Sequence, residues 1–180
     1  MTAAAPSLRL TDAFPEVRDV AEQLCTAGLT IAVAESCTGG LLGATLTSVA
    51  GSSDYMRGGV IAYADAVKVA LLDVDEDTLR RNGAVSEAVA VQMAEGVRRA
   101  LAADIGVGIT GVAGPGSSER KPAGLIFIAT AGDTGSGVAR LVEDRGREEN
   151  RAEAVHAALR LAIEAVQRAV AGGAEIRSDA

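Results

Sequence analysis

Aromatic side chains are nearly missing from this sequence: they make up 2% of its 180 residues, and tryptophan is absent. A core must then be built from Ala, Val, Leu and Ile, whose compact side chains suit helices packed closely on a sheet. Cysteine is also scarce. Cys25 and Cys37 do not make a disulfide framework, and with His156 as the one histidine they argue against a zinc site. Neither a metal nor a cofactor is expected. No stretch approaches the ~20 apolar residues of a membrane helix. Met1 to Pro15 is Ala-rich but has no basic region ahead of a continuous apolar run, so no signal peptide is read and a cytoplasmic location is expected. Positive charge is in deficit as well, with a formal net charge of −7 and a pI near 4.8. That balance argues against nucleic acid, which requires a clustered Lys/Arg face. It leaves room for one small anionic ligand in a local pocket.

What is present describes a folded domain. Hydrophobic residues make up 48% and charged ones 23%, and the length suits one domain able to bury a core. Residues 1–12 read as a flexible leader, 13–172 as the domain and 173–180 as a flexible tail. Val17, Val20, Ala21 and Leu24 fall at helical spacing, with Gly28 placed to end the helix. Leu29 to Ala34 is a short apolar run typical of a buried strand. A helical pattern then runs to about Ser48, and Gly58 to Ala64 reads as a second strand. Asp65 is expected to cap a short helix carrying Lys68, and Asp75 or Asp77 to start another ending at Asn82-Gly83. Ser86 is a good cap for a long helix with Ala90, Met93, Ala94, Val97 and Leu101 on one face. Ile105 to Thr110, Leu125 to Ala131 and Val138 to Glu143 read as strands, the last two as a hairpin. The final helix carries Val155, Leu159, Ala162, Val166 and Val170 on one stripe, with Gly172-Gly173 as its stop. The alternation predicts an α/β fold: a single-domain three-layer α/β/α sandwich with a mixed sheet.

In such sheets ligands bind where strand ends meet helix starts. Two segments have that chemistry. In Glu35-Ser36-Cys37-Thr38-Gly39-Gly40 the serine follows a buried strand and precedes a helix, so its hydroxyl is presented beside backbone N–H groups that can hold an anion or oxyanion. Ser36 is thus a candidate nucleophile, but Ser36 and Thr38 are equally suited to capping the helix. A nucleophilic serine needs a base. His156 lies among alanines with nothing local to mark it as that partner. Lysines are few, and Lys68 is flanked by Ala66, Val67, Val69 and Ala70; an enclosed lysine is a candidate base, and a snorkelling surface lysine is the competing reading. Tyr63 can relay a proton or simply be a half-buried strand residue. Glu35 can pair with a ligand amide or with Lys68, or sit at the surface. The second segment, Thr110 to Gly116, has the small residues needed for backbone contact with a phosphate or ribose but matches neither P-loop nor Rossmann spacing. Arg145, Arg147 and Arg151 cluster at the start of the last helix, as phosphate ligands or as a solvated face.

Taken together, these blocks resemble the C-terminal domain of competence-damage-inducible protein CinA, whose stand-alone members are nicotinamide-nucleotide amidases. The likeness runs from about residue 16 to 168. It rests on Ala34-Glu35-Ser36-Cys37-Thr38-Gly39-Gly40, Gly51-Ser52-Ser53, Gly59-Val60 with Tyr63 and Lys68, Gly83-Ala84-Val85-Ser86, Met93-Ala94-Glu95-Gly96, Gly111-Val112-Ala113-Gly114-Pro115 and Lys121-Pro122-Ala123-Gly124. The resemblance implies hydrolysis of the carboxamide of nicotinamide mononucleotide by a Ser/Lys pair, in pyridine-nucleotide recycling. Ser36 would be the nucleophile, Lys68 its base, Tyr63 a hydrogen-bonding or relay partner, and Thr110 a hydroxyl near the site. Thr38, Gly39, Gly40, Gly111 and Gly114 would contact substrate, and Arg147 and Arg151 its phosphate. A homo-oligomer, most simply a dimer, is implied as well. Two positions depart from the family pattern: Tyr63-Ala64-Asp65 where Tyr-Ser-Asn is common, and Asp144-Arg145-Gly146-Arg147 where Gly-Asp-Arg is usual. A non-catalytic nucleotide-binding domain, or an amidase for another small amide, are the alternatives.

Overall fold

The computed structural model describes residues 9–118 and 120–178; residues 1–8 of the expected leader and 179–180 of the expected tail lie outside them. Five strands form one sheet: β1 (Ile31–Glu35), β2 (Met56–Ile61), β3 (Ile105–Gly111), β4 (Ile126–Gly132) and β5 (Gly135–Leu141), in the order β2-β1-β3-β4-β5. β1 runs parallel to both β2 and β3, whereas β3–β4 and β4–β5 are antiparallel, so the sheet is mixed as expected. Seven helices are described: α1 (Leu10–Ala13), α2 (Glu16–Ala27), α3 (Leu41–Thr47), α4 (Asp65–Leu72), α5 (Glu76–Asn82), α6 (Glu87–Ala100) and α7 (Arg147–Ser178).

Side-chain alternation along the strands builds two unlike faces. Ile31 and Val33 of β1, Ile105, Val107 and Ile109 of β3, and Ile126 and Ile128 of β4 pack against α2, α3 and α7 in the larger core. The opposite face carries Ala32, Ala34, Gly106, Gly108, Ala129 and Ala131, beneath α4, α5 and α6. There the long helix lies almost on the backbone. A Cβ at Gly106 would fall 2.0 Å from the carbonyl oxygen of Ala94, and one at Gly108 2.3 Å from that of Ala90. The small-residue face therefore needs no aromatic filler, which accounts for their scarcity.

Several boundaries differ from the sequence reading for identifiable reasons. Leu10–Ala13, which begins inside the expected leader and ends at the first residue of the expected domain, is a helical turn whose Leu10 packs on the larger core. β2 stops at Ile61 rather than Ala64: Ala62 N–H donates to the Glu35 carbonyl at 2.7 Å, and β1 then ends. The β4–β5 hairpin closes over Asp133-Thr134, so β5 begins at Gly135, earlier than Val138. α7 passes Gly172-Gly173 instead of stopping. A glycine costs a helix about 1 kcal/mol without breaking its ladder, and a Cβ at Gly172 would lie 2.5 Å from Thr134 Cγ2, so the glycine gives clearance to the hairpin turn.

Candidate active site

The parallel strands β2, β1 and β3 end on one side of the sheet, where Tyr63, Ser36 and Thr110 are carried in that order. They border a cavity of about 240 Å³, lined also by Lys68, Asp65, Gly111, Gly114 and Arg147. That volume suits the reacting end of a small molecule. Its floor is the turn after β1, fixed by Ser36 N–H donating to the Ile109 carbonyl at 3.0 Å. Its roof is the loop between β3 and β4, which returns on itself through Val112 N–H to Leu125 O and Gly124 N–H to Val112 O, both 2.8 Å.

The cap of α3 is supplied not by Ser36 but by its neighbour. Glu35 is 1% exposed, and its carboxylate accepts N–H bonds from Gly40 at 3.0 Å, Leu42 at 3.1 Å and Gly43 at 2.8 Å. These are the orphan donors of the first turn of α3, satisfied by a buried charge that also complements the helix dipole. Glu35 is thus the cap, not a surface residue and not a partner of Lys68. The helix start is consumed by this carboxylate and cannot serve as the anion cradle the sequence suggested. Ser36 is free of that duty: among the described residues its hydroxyl has no hydrogen-bond partner, and it faces the cavity. Cys37 beside it is no rival nucleophile. Burial, with the Glu35 charge adding to it, pushes its thiol up to about 12.

Lys68 is 1% exposed, so the snorkelling alternative fails. Its Nζ donates to Asp65 Oδ1 at 3.0 Å and to the Tyr63 carbonyl at 3.2 Å. Asp65 is consequently not the cap of α4; Ala64 occupies that position with no side-chain bond, and Asp65 opens the helix as a counter-ion for Lys68. Tyr63 reaches the site through its backbone oxygen, while its side chain is 62% exposed at the mouth. Thr110 is buried and donates from Oγ1 to the Ala84 carbonyl at 2.8 Å, tying β3 to the chain ahead of α6.

Not every expected binding residue reaches the cavity. Thr38, Gly39 and Gly40 lie beyond its wall, on the α3 side of the turn. Arg147 borders it and donates from Nη1 to the Gly114 carbonyl at 2.7 Å. Arg151 does not; its Nη2 donates to the Thr38 carbonyl at 3.0 Å and so fastens α7 to the serine turn. Arg145 is paired with Glu143 in solvent. One buried residue was missed. Asn150 donates from Nδ2 to Ala113 O at 3.0 Å and to Asp144 Oδ1 at 2.9 Å, and accepts from Arg145 N–H at 2.9 Å, joining the roof loop to the start of α7. Its signal was its place four residues before buried Ala154, on the inward stripe of the helix.

A non-capping serine and a buried lysine at the carboxyl ends of a parallel strand set place the chain in a class, the α/β domains with a cavity at their strand ends. The chain belongs, within that class, to the CinA C-terminal domain family, which residues 15–166 match. Among its curated relatives are a putative competence-damage inducible protein of Desulforamulus reducens, 51% identical over 143 residues, and a CinA-like protein of Synechococcus sp., 53% identical over 145 residues. Each match covers 79% of this chain but 35% of the relative, so the chain spans about a third of those proteins. Solved structures are similar over nearly their whole length. The competence/damage inducible protein CihA from Agrobacterium tumefaciens is 38% identical with a TM-score of 0.83, over 88% of this chain and 98% of that one. The competence damage-inducible protein A from Klebsiella pneumoniae is 33% identical with a TM-score of 0.81, over 84% and 95%. Among the described residues no helix is long and apolar enough to cross a membrane.

Proposed function

We propose that this chain is a nicotinamide-nucleotide amidase, converting the carboxamide of nicotinamide mononucleotide to a carboxylate with release of ammonia. The observation that carries the reading is the pairing, in one cavity, of a serine hydroxyl released from capping by Glu35 with the buried amine of Lys68. Ser36 Oγ attacks the carboxamide carbon while its proton passes to Lys68 Nζ. The C–N bond breaks as that proton moves to the departing nitrogen, which leaves as ammonia. Water then attacks the acyl-serine, Lys68 takes its proton and returns it to Ser36, and nicotinate mononucleotide departs. Arg147, at the cavity border, supplies a cation for the substrate phosphate.

Purified protein should release ammonia from nicotinamide mononucleotide without added metal. Ser36→Ala should abolish that release, and retained turnover would refute the nucleophile. Arg147→Ala should raise KM for the mononucleotide while leaving any slow turnover of the phosphate-free riboside unchanged. The working form is proposed as a cytoplasmic homodimer, a reading supported by large apolar side chains left in solvent at Ile61, Leu71 and Val142; a strict monomer on sedimentation would count against it. A second reading, a binding module without turnover, draws on the engagement of Lys68 by Asp65. Thermal stabilisation by pyridine nucleotides with no ammonia released would favour it.

A further inference from the structure

The lysine at this site is held from two sides by acceptor oxygens, those of Asp65 and of the Tyr63 carbonyl. We propose that Asp65, together with the Tyr63 carbonyl, is a positioning pair that aims the remaining face of Lys68 Nζ at Ser36. The inference rests on the amidase reading for its substrate but on the Lys68 environment for its logic. A lysine nitrogen has four tetrahedral positions. One is the bond to Cε, one is spent on Asp65 Oδ1 at 3.0 Å, and one on Tyr63 O at 3.2 Å. With the side chain 1% exposed, a single position is left, and it opens on the cavity that Lys68 shares with Ser36.

That arrangement serves both protonation states. As an amine, Nζ donates its two hydrogens to the two acceptors and presents its lone pair to the cavity. As an ammonium, it keeps the same two bonds and presents its third N–H. The proton taken from Ser36 Oγ can therefore arrive at Nζ, and leave again toward the departing nitrogen, with no other hydrogen bond broken or turned. A base that needs no reorganisation during proton transfer gains in rate through orientation alone. What the position at 65 must supply is an acceptor oxygen at that point. The amide of an asparagine supplies one; an alanine does not. Asp65 is half-exposed and makes no other bond among the described residues, so its substitution should leave the fold intact.

The test uses Asp65→Ala and Asp65→Asn with two readouts. The first is the rate at which a fluorophosphonate phosphonylates Ser36 with loss of fluoride, followed by intact-mass spectrometry, which needs the activated serine but no particular substrate. The second is kcat and KM for ammonia release from nicotinamide mononucleotide. Asp65→Ala is expected to slow labelling and kcat by about tenfold to a hundredfold, the scale of a misplaced catalytic group, with KM unchanged. Asp65→Asn is expected to restore both to within about threefold. An Asp65→Ala protein that labels at the wild-type rate overturns the proposal. So does an Asp65→Asn protein as slow as Asp65→Ala, because charge rather than the acceptor would then matter. A wild-type protein whose Ser36 resists the probe overturns it too. The expected labelling pattern without ammonia release upholds the positioning role and refutes the amidase reading instead.

Discussion

Glu35 and Gly43 are joined by a hydrogen bond of 2.8 Å in which the carboxylate of a strand end caps the helix that follows it. Two more N–H groups share that carboxylate, in a place that is 1% exposed. Glu35→Ala should leave three donors without that partner, the Leu42 N–H buried and those of Gly40 and Gly43 part-buried, at about 1–3 kcal/mol for each that stays dry. A loss of about 3 kcal/mol or more is expected, lowering Tm by on the order of 10 °C in a domain of this size. Ser36→Ala should behave differently, within about 0.5 kcal/mol of wild type by urea denaturation, since it removes no cap. Equal losses in the two variants would return Ser36 to the role of a cap.

Cys37 lies next to the proposed nucleophile yet is buried, and its thiol is pushed up to about 12. At neutral pH it carries almost no thiolate. Iodoacetamide should therefore modify exposed Cys25 and spare Cys37, as read by peptide mass mapping. Ammonia release should survive the treatment. Fast loss of activity with alkylation at Cys37 would contradict this assignment.

The closeness of α6 to the sheet sets a steric limit. Gly108→Ala would place a Cβ 2.3 Å from the Ala90 carbonyl oxygen and 2.7 Å from the Ala94 nitrogen, both backbone atoms that cannot step aside. Destabilisation of about 1–3 kcal/mol or more is expected from the forced shift of helix on sheet. Denaturant midpoints measure it. An unchanged midpoint would mean the layers are looser than described.

Acid stability should depend on Glu16. Partial burial pushes its carboxyl up, but its backbone hydrogen bond and the His156 imidazole, at 2.9 Å, outweigh that and hold it below its ordinary value of 4.5. A carboxyl lowered in the folded state stabilises above its unfolded value and loses that contribution as pH falls through the folded one. His156→Ala should therefore reduce Tm more at pH 6 than at pH 3. A difference independent of pH would leave only the packing of His156 on Phe14, whose rings lie 4.8 Å apart.

Much of the fold was legible because it is written in local patterns. Gly28 ends α2 in the left-handed conformation, with φ of 64°, and the Ser86 hydroxyl caps α6 by accepting the Val89 N–H at 3.4 Å. The stripes of α6 and α7 point inward where the periodicity placed them, except at Val170, which is exposed near the end of α7. The candidate site was legible in part. Ser36, Lys68, Tyr63, Thr110, Gly111, Gly114 and Arg147 do meet at one cavity. The failures share a cause: local spacing does not say which neighbour takes a free donor or charge. Asp65 looked like a cap and is a counter-ion; Glu35 looked like a surface or ligand-facing group and is the cap. Arg151, read as a phosphate ligand or part of a solvated face, lies off the cavity with its Nη2 on the Thr38 carbonyl, 113 residues away.

By itself, then, the sequence determined the order of the elements, the small-residue composition that lets helix lie on sheet, and the family to which the chain belongs. These follow from side-chain volume and periodicity, which act over a few residues. Tertiary structure alone decided the partners of the polar groups. Whether Ser36 is free, which side of Lys68 faces the cavity and which arginine borders it depend on contacts between segments far apart in the chain. Those contacts exist only once β1, β2 and β3 bring their ends to one side of the sheet, where burial forces every donor and charge to find a partner.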